Sequence, residues 1–257
     1  MTILDDIISE KKAYIQYLKD SDYLKSLPAI KFDFYSFKAA LANPILSLIA
    51  EVKKASPSKG VINPNFDPVS LAKHYESLGA SALSVLTDQR FFQGSNDYLT
   101  AIKQQVKLPV LRKDFIIDPI QIKEAHLIGS DAILLIASIL TLNQAKELID
   151  CAKDYKLDIL FEVHNDDDLE KASLLRGIDI LGVNNRNLKS FEVDAKISLL
   201  LKNQSKTRFN DALWVAESGY DSVDQLKILS ENDFSAVLIG EGLVKNVNMI
   251  NYFYNEI

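Results

Sequence analysis

Short apolar runs recur along this chain, and each is followed by a stretch whose apolar positions return at helical spacing. Continuous apolar runs bounded by turn residues read as buried strands, and returns every three to four residues read as amphipathic helices. On that basis strands are expected at 47–52, 82–86, 109–113, 132–136, 158–163, 179–183, 213–216 and 235–239. Most gaps suit one strand–helix unit. The first and sixth are longer and leave room for extended loops.

The intervening segments carry helix start signals. Asp67-Pro68 and Asp118-Pro119 each place an N-cap carboxylate before a proline at the first helical position. Leu71, Tyr75 and Leu78 then form one face, and Gly79 suits the end of that helix. Thr141 with Gln144 reads as a capping box before Leu148, Ile149 and Ala152. Asn165 before DDDLEKASLL and Asp221 before SVDQLKIL complete the series. Ahead of the first strand, Leu4, Ile7, Ile8, Ile15 and Leu18 predict a helix over 4–19, and 33–42 suggests a second, shorter one.

Alternation of strand and helix implies a parallel sheet. Eight units favour closure into an α/β fold of the (β/α)₈ TIM-barrel type over an open doubly wound sheet. The length of 257 residues is close to the roughly 250 of such a barrel. No Pro/Gly/Ser-rich linker divides the sequence. The expectation is one domain, 1–257, with 1–45 as an N-terminal helical extension.

Composition adds bounds. Hydrophobic residues are 47% and charged residues 25%, as in ordinary globular proteins. The net charge of −6 argues against nucleic acid as a partner, yet a local lysine cluster can still bind anions. The single Cys151 lies in a helix-like run and reads as a buried structural thiol. No secretory signal pattern opens the sequence and no apolar run approaches membrane-spanning length, so a cytoplasmic protein without a membrane partner is expected.

Charged and amide residues crowd the ends of the apolar runs, in SLIAEVK (47–53), PVLRKDF (109–115), ILFEVHN (159–165), ILGVNNR (180–186), LWVAESG (213–219) and AVLIGEG (236–242). A charge at the end of a buried strand is unfavourable unless paired or used. A (β/α)₈ barrel gathers all such ends at one face. Glu51 and Lys53, two apart, share a side of the first strand, whereas Lys54 points away. The loop 55–68, with Ser56, Ser58, Lys59 and Gly60, is long enough to bind or cover a ligand. Lys113 shares a face with Leu111 and should enter the barrel mouth. Desolvation near Lys53 would lower its pKa and ready it as a proton donor. Asp114 beside it is expected to face outward or brace the loop.

Glu162 follows Ile159, Leu160 and Phe161, a setting that predicts a raised pKa and general acid/base work. With Glu51 and Glu217 it makes three carboxylates near two lysines, an acid/base pocket rather than a metal site. His74, His126 and His164 lack ligand spacing, and His164 reads as a rim residue. Asn184 and Arg186 could bond a polyol or fix a loop. Gly219 follows the seventh strand, and Gly240 and Gly242 follow the eighth. Glycines there let backbone N–H groups approach a phosphate, which such barrels commonly hold at these two loops. Glu241 is expected to turn its side chain away and contribute its N–H.

The motifs IAEVKKASPSKG (49–60), VLRKDFIID (110–118), LFEVHN (160–165), GVNNRNL (182–188), AESG (216–219) and LIGEGL (238–243) resemble indole-3-glycerol-phosphate synthase of tryptophan biosynthesis. The resemblance covers essentially the whole chain. It implies a carbon–carbon lyase of the carboxy-lyase class. Such an enzyme closes an indole ring on 1-(2-carboxyphenylamino)-1-deoxyribulose 5-phosphate, with loss of carbon dioxide and water and without metal or organic cofactor. It also implies roles for residues. Lys113 would be the general acid for the substrate carbonyl, and Glu162 the acid/base that assists dehydration. Glu51 would be the partner carboxylate, and Lys53 would hold substrate anions. Asn184 and Glu217 would contact the sugar-derived hydroxyls or the lysine network. Ser56, Ser218, Gly219, Gly240 and Glu241 would cradle the phosphate, and Phe92 and Phe115 would sandwich the anthranilate ring. Asn185 and Asn187 fall where relatives vary, and Glu241 replaces a small hydroxyl residue found in some. The implied partner is a small phosphosugar. A monomer is expected, with contact to other tryptophan-pathway enzymes left open.

Two rivals compete. Phosphoribosylanthranilate isomerase is another phosphosugar barrel, but its expected Cys/Asp pair has no counterpart, because Cys151 sits in a helix-like run. A catalytically silent phospholigand-binding barrel could dispense with Lys113 or Glu162, yet both are present.

Overall fold

The computed structural model describes residues 2–56, 60–187, 192–205, 208–246 and Met249. Pro57, Ser58, Lys59 and Leu188 of the sequence motifs lie outside the described residues. Eight parallel strands close into a barrel: β1 Ser47–Val52, β2 Ala82–Leu86, β3 Val110–Lys113, β4 Ala132–Ile136, β5 Asp158–Val163, β6 Ile180–Asn184, β7 Leu213–Glu217 and β8 Ala236–Ile239. Each strand pairs with its sequence neighbours. β1 closes the ring by pairing with both β2 and β8. Helices follow the strands and cover the outside, which is the expected (β/α)₈ architecture.

Strand periodicity sorts the side chains. Leu48, Ala50 and Val52 of β1 pack in the layer beneath the helices. Ile49 joins the barrel interior with Leu111, Leu134, Leu160, Val215 and Leu238. Glu51 continues the inward register.

The strand ends differ from expectation by a residue, for physical reasons. β3 starts at Val110 because Pro109 has no N–H to donate, although its carbonyl still accepts from Leu83 (3.0 Å). β6 runs on to Asn184, which pairs with Glu217 of β7. Asp67, Asp118, Thr141 and Asn165 cap their helices as predicted. The helix Val223–Glu231 begins one residue later than Asp221 would set, with Ser222 as the N-cap. Its companion Gln225 accepts the N–H of Ser222 through Oε1 at 3.2 Å.

The N-terminal segment spans both ends of the barrel. Helix α1 (Ile3–Asp20) starts with a capping box from Thr2 and Asp5. A short helix α2 (Tyr23–Ser26) follows. Helix α3 (Phe37–Leu41) is shorter than the expected 33–42, because Ser36 is the N-cap and residues 31–36 run without regular structure. The N–H of Tyr35 is taken by Asp131 at 2.7 Å, and that of Lys38 by Asp158 at 2.9 Å. Both carboxylates stand where strands begin, so this segment crosses the N-terminal end of the barrel. Phe37 and Leu41 are fully buried in the interior cluster.

α1 reaches the opposite end. Lys11 Nζ lies 2.9 Å from Asp88 Oδ2 and 2.6 Å from Asp114 Oδ1, just past β2 and β3. Arg112 extends this buried network to Asp114 (3.2 Å) and Glu124 (2.7 Å), and Tyr14 donates to Glu124. Asp114 therefore braces the loop, and although burial pushes its carboxyl up, the charges of Lys11 and Arg112 outweigh this and hold it well below the usual range. Among the described residues no helix is long and apolar enough to cross a membrane. Cys151 is half-buried rather than buried, on the helix Leu142–Asp154, with Sγ 3.9 Å from the carbonyl of Pro119.

Candidate active site

A cavity of about 430 Å³ opens at the C-terminal end of the barrel. It is lined by Glu51, Lys53, Ser56, Phe92, Lys113, Phe115, Glu162, Asn184, Arg186, Ser218, Gly219, Gly240 and Glu241. Every site residue expected from the sequence thus reaches this cavity except Glu217. That side chain is fully buried beneath it and touches Lys113.

The polar groups converge in one ionic cluster. Lys53 Nζ stands 2.5 Å from Glu51 Oε1. Lys113 Nζ lies 3.4 Å from Glu51 Oε2 and 3.3 Å from Glu217 Oε2. Asn184 Nδ2 donates to Glu162 Oε2 at 3.1 Å, while Asn184 Oδ1 accepts the N–H of Arg186 at 3.0 Å. Asn184 is fixed from both sides and can orient the Glu162 carboxylate.

The protonation states differ from the sequence expectation at two residues. Burial alone would favour neutral Lys113, but Glu51, Glu217 and Glu162 outweigh it and raise its pKa. The sequence put Lys53 nearby and predicted a lowered value. Three acidic strand ends, expected in the same pocket but not weighed against burial in that expectation, reverse the sign. Glu162 is likewise held low rather than high. Burial is overcome by His164, Lys113 and Asn184. The carboxyl that does rise is Glu217, to about 8, through burial and the negative charge of Glu162, against the opposing pull of Lys113. Glu51 falls to about 2, because Lys53 and Lys113 overcome its burial.

Glycines make room for this cluster. A Cβ on Gly182 would stand 2.3 Å from Glu217 Oε1. A Cβ on Gly240 would stand 2.2 Å from Glu51 Oε1 and 3.0 Å from Lys53 Nζ. Gly182 was not singled out from the sequence, since a glycine in a strand gives no hint of the carboxylate it faces.

At the β7 and β8 loops, Ser218 (φ +66°) and Gly219 (φ +89°) both take left-handed backbone. Asn185 points away from the cavity. It donates to the Ser218 carbonyl and to Tyr220, both at 2.9 Å, and accepts the N–H of Ser198. It braces the loop. Glu241 pairs with Lys245, which also lines the cavity, at 3.1 Å. That cation offsets the negative charge expected to be awkward there. The rings of Phe92 and Phe115 lie 6.1 Å apart and 33° from parallel on one wall.

Sequence reasoning also missed two cavity-lining residues of α1 and the acid contact of His164. Leu4 and Ile7 of α1 line the cavity, though their spacing marked them only as one face of a helix. His164, expected at the rim, lies outside the cavity lining behind Glu162. Its Nε2 sits 3.2 Å from Glu162 Oε1.

Known proteins resemble this chain in sequence and in fold. The family model for indole-3-glycerol phosphate synthase matches residues 4–253. The chain is 48% identical over 245 residues to an indole-3-glycerol phosphate synthase of Bacillus pumilus, covering 95% of this chain and 94% of that one. It is 41% identical over 263 residues to the Chloroherpeton thalassium protein of the same name, covering all of both chains. Among solved structures, KGPDC from Streptococcus mutans superposes with a TM-score of 0.62 at 17% identity, over 82% of this chain and 97% of that one. A chain from the Pyrococcus furiosus tryptophan synthase complex gives 0.55 at 16%, over 81% and 95%. These two likenesses bear on the fold alone. The matched family model and the curated relatives together place this chain in the indole-3-glycerol phosphate synthase family.

Proposed function

We propose that the chain closes the indole ring of 1-(2-carboxyphenylamino)-1-deoxyribulose 5-phosphate, giving indole-3-glycerol phosphate, carbon dioxide and water. The observation that carries the reading is Lys113, a cation held by Glu51 and Glu217 at the floor of a cavity with paired phenyl rings on one wall.

Phe92 and Phe115 hold the anthranilate ring, and Lys53 attracts its carboxylate. The loops at Ser218, Gly219 and Gly240, with Ser56 and the Glu241 backbone, take the phosphate. Arg186 and Asn184 meet the sugar hydroxyls. With both ends fixed, the ring carbon bearing the carboxylate is set against the sugar carbonyl, which converts a difficult encounter into a local one.

The ring carbon attacks the carbonyl carbon while Lys113 protonates the carbonyl oxygen. The carbon–carboxylate bond then breaks. Carbon dioxide leaves, and its electron pair restores the aromatic ring. Lys113 is reprotonated from solvent. In the second stage the recharged Lys113 gives a proton to the new hydroxyl, which departs as water, and Glu162 accepts the proton lost from the carbon beside nitrogen. Lys113 is charged at neutral pH, so its proton is in place, and the alkoxide forming in the transition state is basic enough to take it. Glu162, held anionic, suits the accepting role. Glu51 and Glu217 keep Lys113 aligned.

The proposal also takes 1–257 as one domain, with 1–45 as a helical extension, acting as a cytoplasmic monomer. The test is mass balance. Purified protein in chelator-containing buffer should release carbon dioxide and form the indole chromophore in equal amounts from this substrate. Bound but unconverted substrate would favour a silent binding barrel.

A further inference from the structure

His164 lies just outside the cavity, behind Glu162. Its side chain is 11% exposed, and it sits between two acids. Nε2 is 3.2 Å from Glu162 Oε1, and Nδ1 is 3.6 Å from Asp168 Oδ2. Both nitrogens are buried and neither makes a hydrogen bond among the described residues, so the two carboxylates meet the ring as close charges.

The surrounding backbone holds this arrangement. Asp168 Oδ2 accepts the N–H of His164 at 3.0 Å. Asn165 caps the helix Asp166–Ser173 and accepts the N–H of Asp168 at 2.9 Å. The residue that starts the helix thus also places the acid behind the imidazole. Glu162 accepts a hydrogen bond from Asn184 at Oε2, while Oε1 has no hydrogen-bond donor among the described residues and lies 3.2 Å from His164 Nε2.

We propose that His164 is a positioning residue for the ring-closure reaction. As an imidazolium bridging Glu162 and Asp168, it orients the Glu162 carboxylate and keeps it ionised as the proton acceptor. This rests on the function proposed above.

The charged groups around the site support that state. Burial disfavours the imidazolium, yet Asp168 and Glu162 outweigh it and push the His164 pKa up to about 10. Glu162 faces His164 on its own strand, Lys113 from β3 and Asn184 from β6. Glu217 from β7 adds negative charge beside it. A charged imidazole lets Glu162 stay anionic next to Glu217, while Glu217 carries the proton that two adjacent carboxylates cannot both release.

The test uses the full chain, with His164→Gln and His164→Asn as independent neutral replacements. Removing the cation raises the Glu162 pKa, so the acid limb of the kcat profile should move up by about 1–3 pH units. Near pH 5 kcat should fall on the order of tenfold with KM little changed, less than the roughly 10²–10⁴ that an acid/base group itself supplies. Histidine NMR on the substrate-free protein gives a readout without turnover. The resonance lost in the Gln variant should remain imidazolium through pH 8. A profile superimposable on the parent, a loss of rate uniform across pH, or a His164 signal titrating below pH 7 would each overturn the inference. Absence of product from the parent protein would instead overturn the proposed function, and the NMR result would still decide the charge of His164.

Discussion

The Glu51 carboxylate occupies the space where a side chain at Gly240 would begin: a Cβ there would stand 2.2 Å from Oε1. The loop after β8 and the acid that holds both lysines are therefore built against each other. Gly240→Ala should push Glu51 off Lys53 and Lys113. A displacement of about 1 Å at a reacting site costs on the order of 10² in rate. Steady-state kinetics should show kcat/KM lowered by about that factor, with a thermal midpoint close to the parent's. A change below about threefold would mean the loop yields instead.

Lys11 ties α1 to the strand ends that carry the site, through Asp88 and Asp114. Removing one member of a buried ionic network leaves uncompensated charge and costs about 3–5 kcal/mol. Urea unfolding of Lys11→Met should show a loss of that size. Since Leu4 and Ile7 of the same helix line the cavity, KM should rise as well.

Glu217 sets a pH dependence of stability. Its folded-state value of about 8 lies above the ordinary 4.5. The folded chain thus keeps a proton that the unfolded chain releases. The stabilisation is complete below about 4.5 and is lost as pH rises through about 8. Glu217→Gln cannot release that proton. Between pH 5 and 8 its thermal midpoint should fall less steeply than the parent's. Parallel curves would show that Glu217 is ionised throughout.

Phe92 and Phe115 make the apolar wall. An aromatic contact adds about 0.5–1.5 kcal/mol beyond area burial. Phe92→Ala should raise KM by about 3- to 10-fold, with kcat changed much less. An unchanged KM would place the aromatic end of the substrate elsewhere.

These expectations separate what sequence carries from what only folding reveals. Glu51, Lys53, Lys113, Glu162 and Asn184 were legible because a polar residue closing an apolar run is a local anomaly, and the barrel brings all such anomalies to one end. The strand count was legible for the same local reason. The protonation pattern was not. Lys113 and Glu217 are far apart in the chain yet 3.3 Å apart in space, and the sign of each shift depends on such neighbours. Lys11 hid among ordinary helix-surface lysines, since Asp88 and Asp114 lie on distant loops. His164 was visible, but its second acid, Asp168, looked like one more acidic residue in a helix's first turn.

The most direct measurement follows indole fluorescence after purified protein is mixed with 1-(2-carboxyphenylamino)-1-deoxyribulose 5-phosphate in metal-chelated buffer, beside Lys113→Ala. Growth of indole fluorescence with the parent, and its loss by about 10²–10⁴-fold in a variant that still binds substrate, is the predicted result. No product from folded parent protein with substrate bound, or full activity in Lys113→Ala, would contradict it.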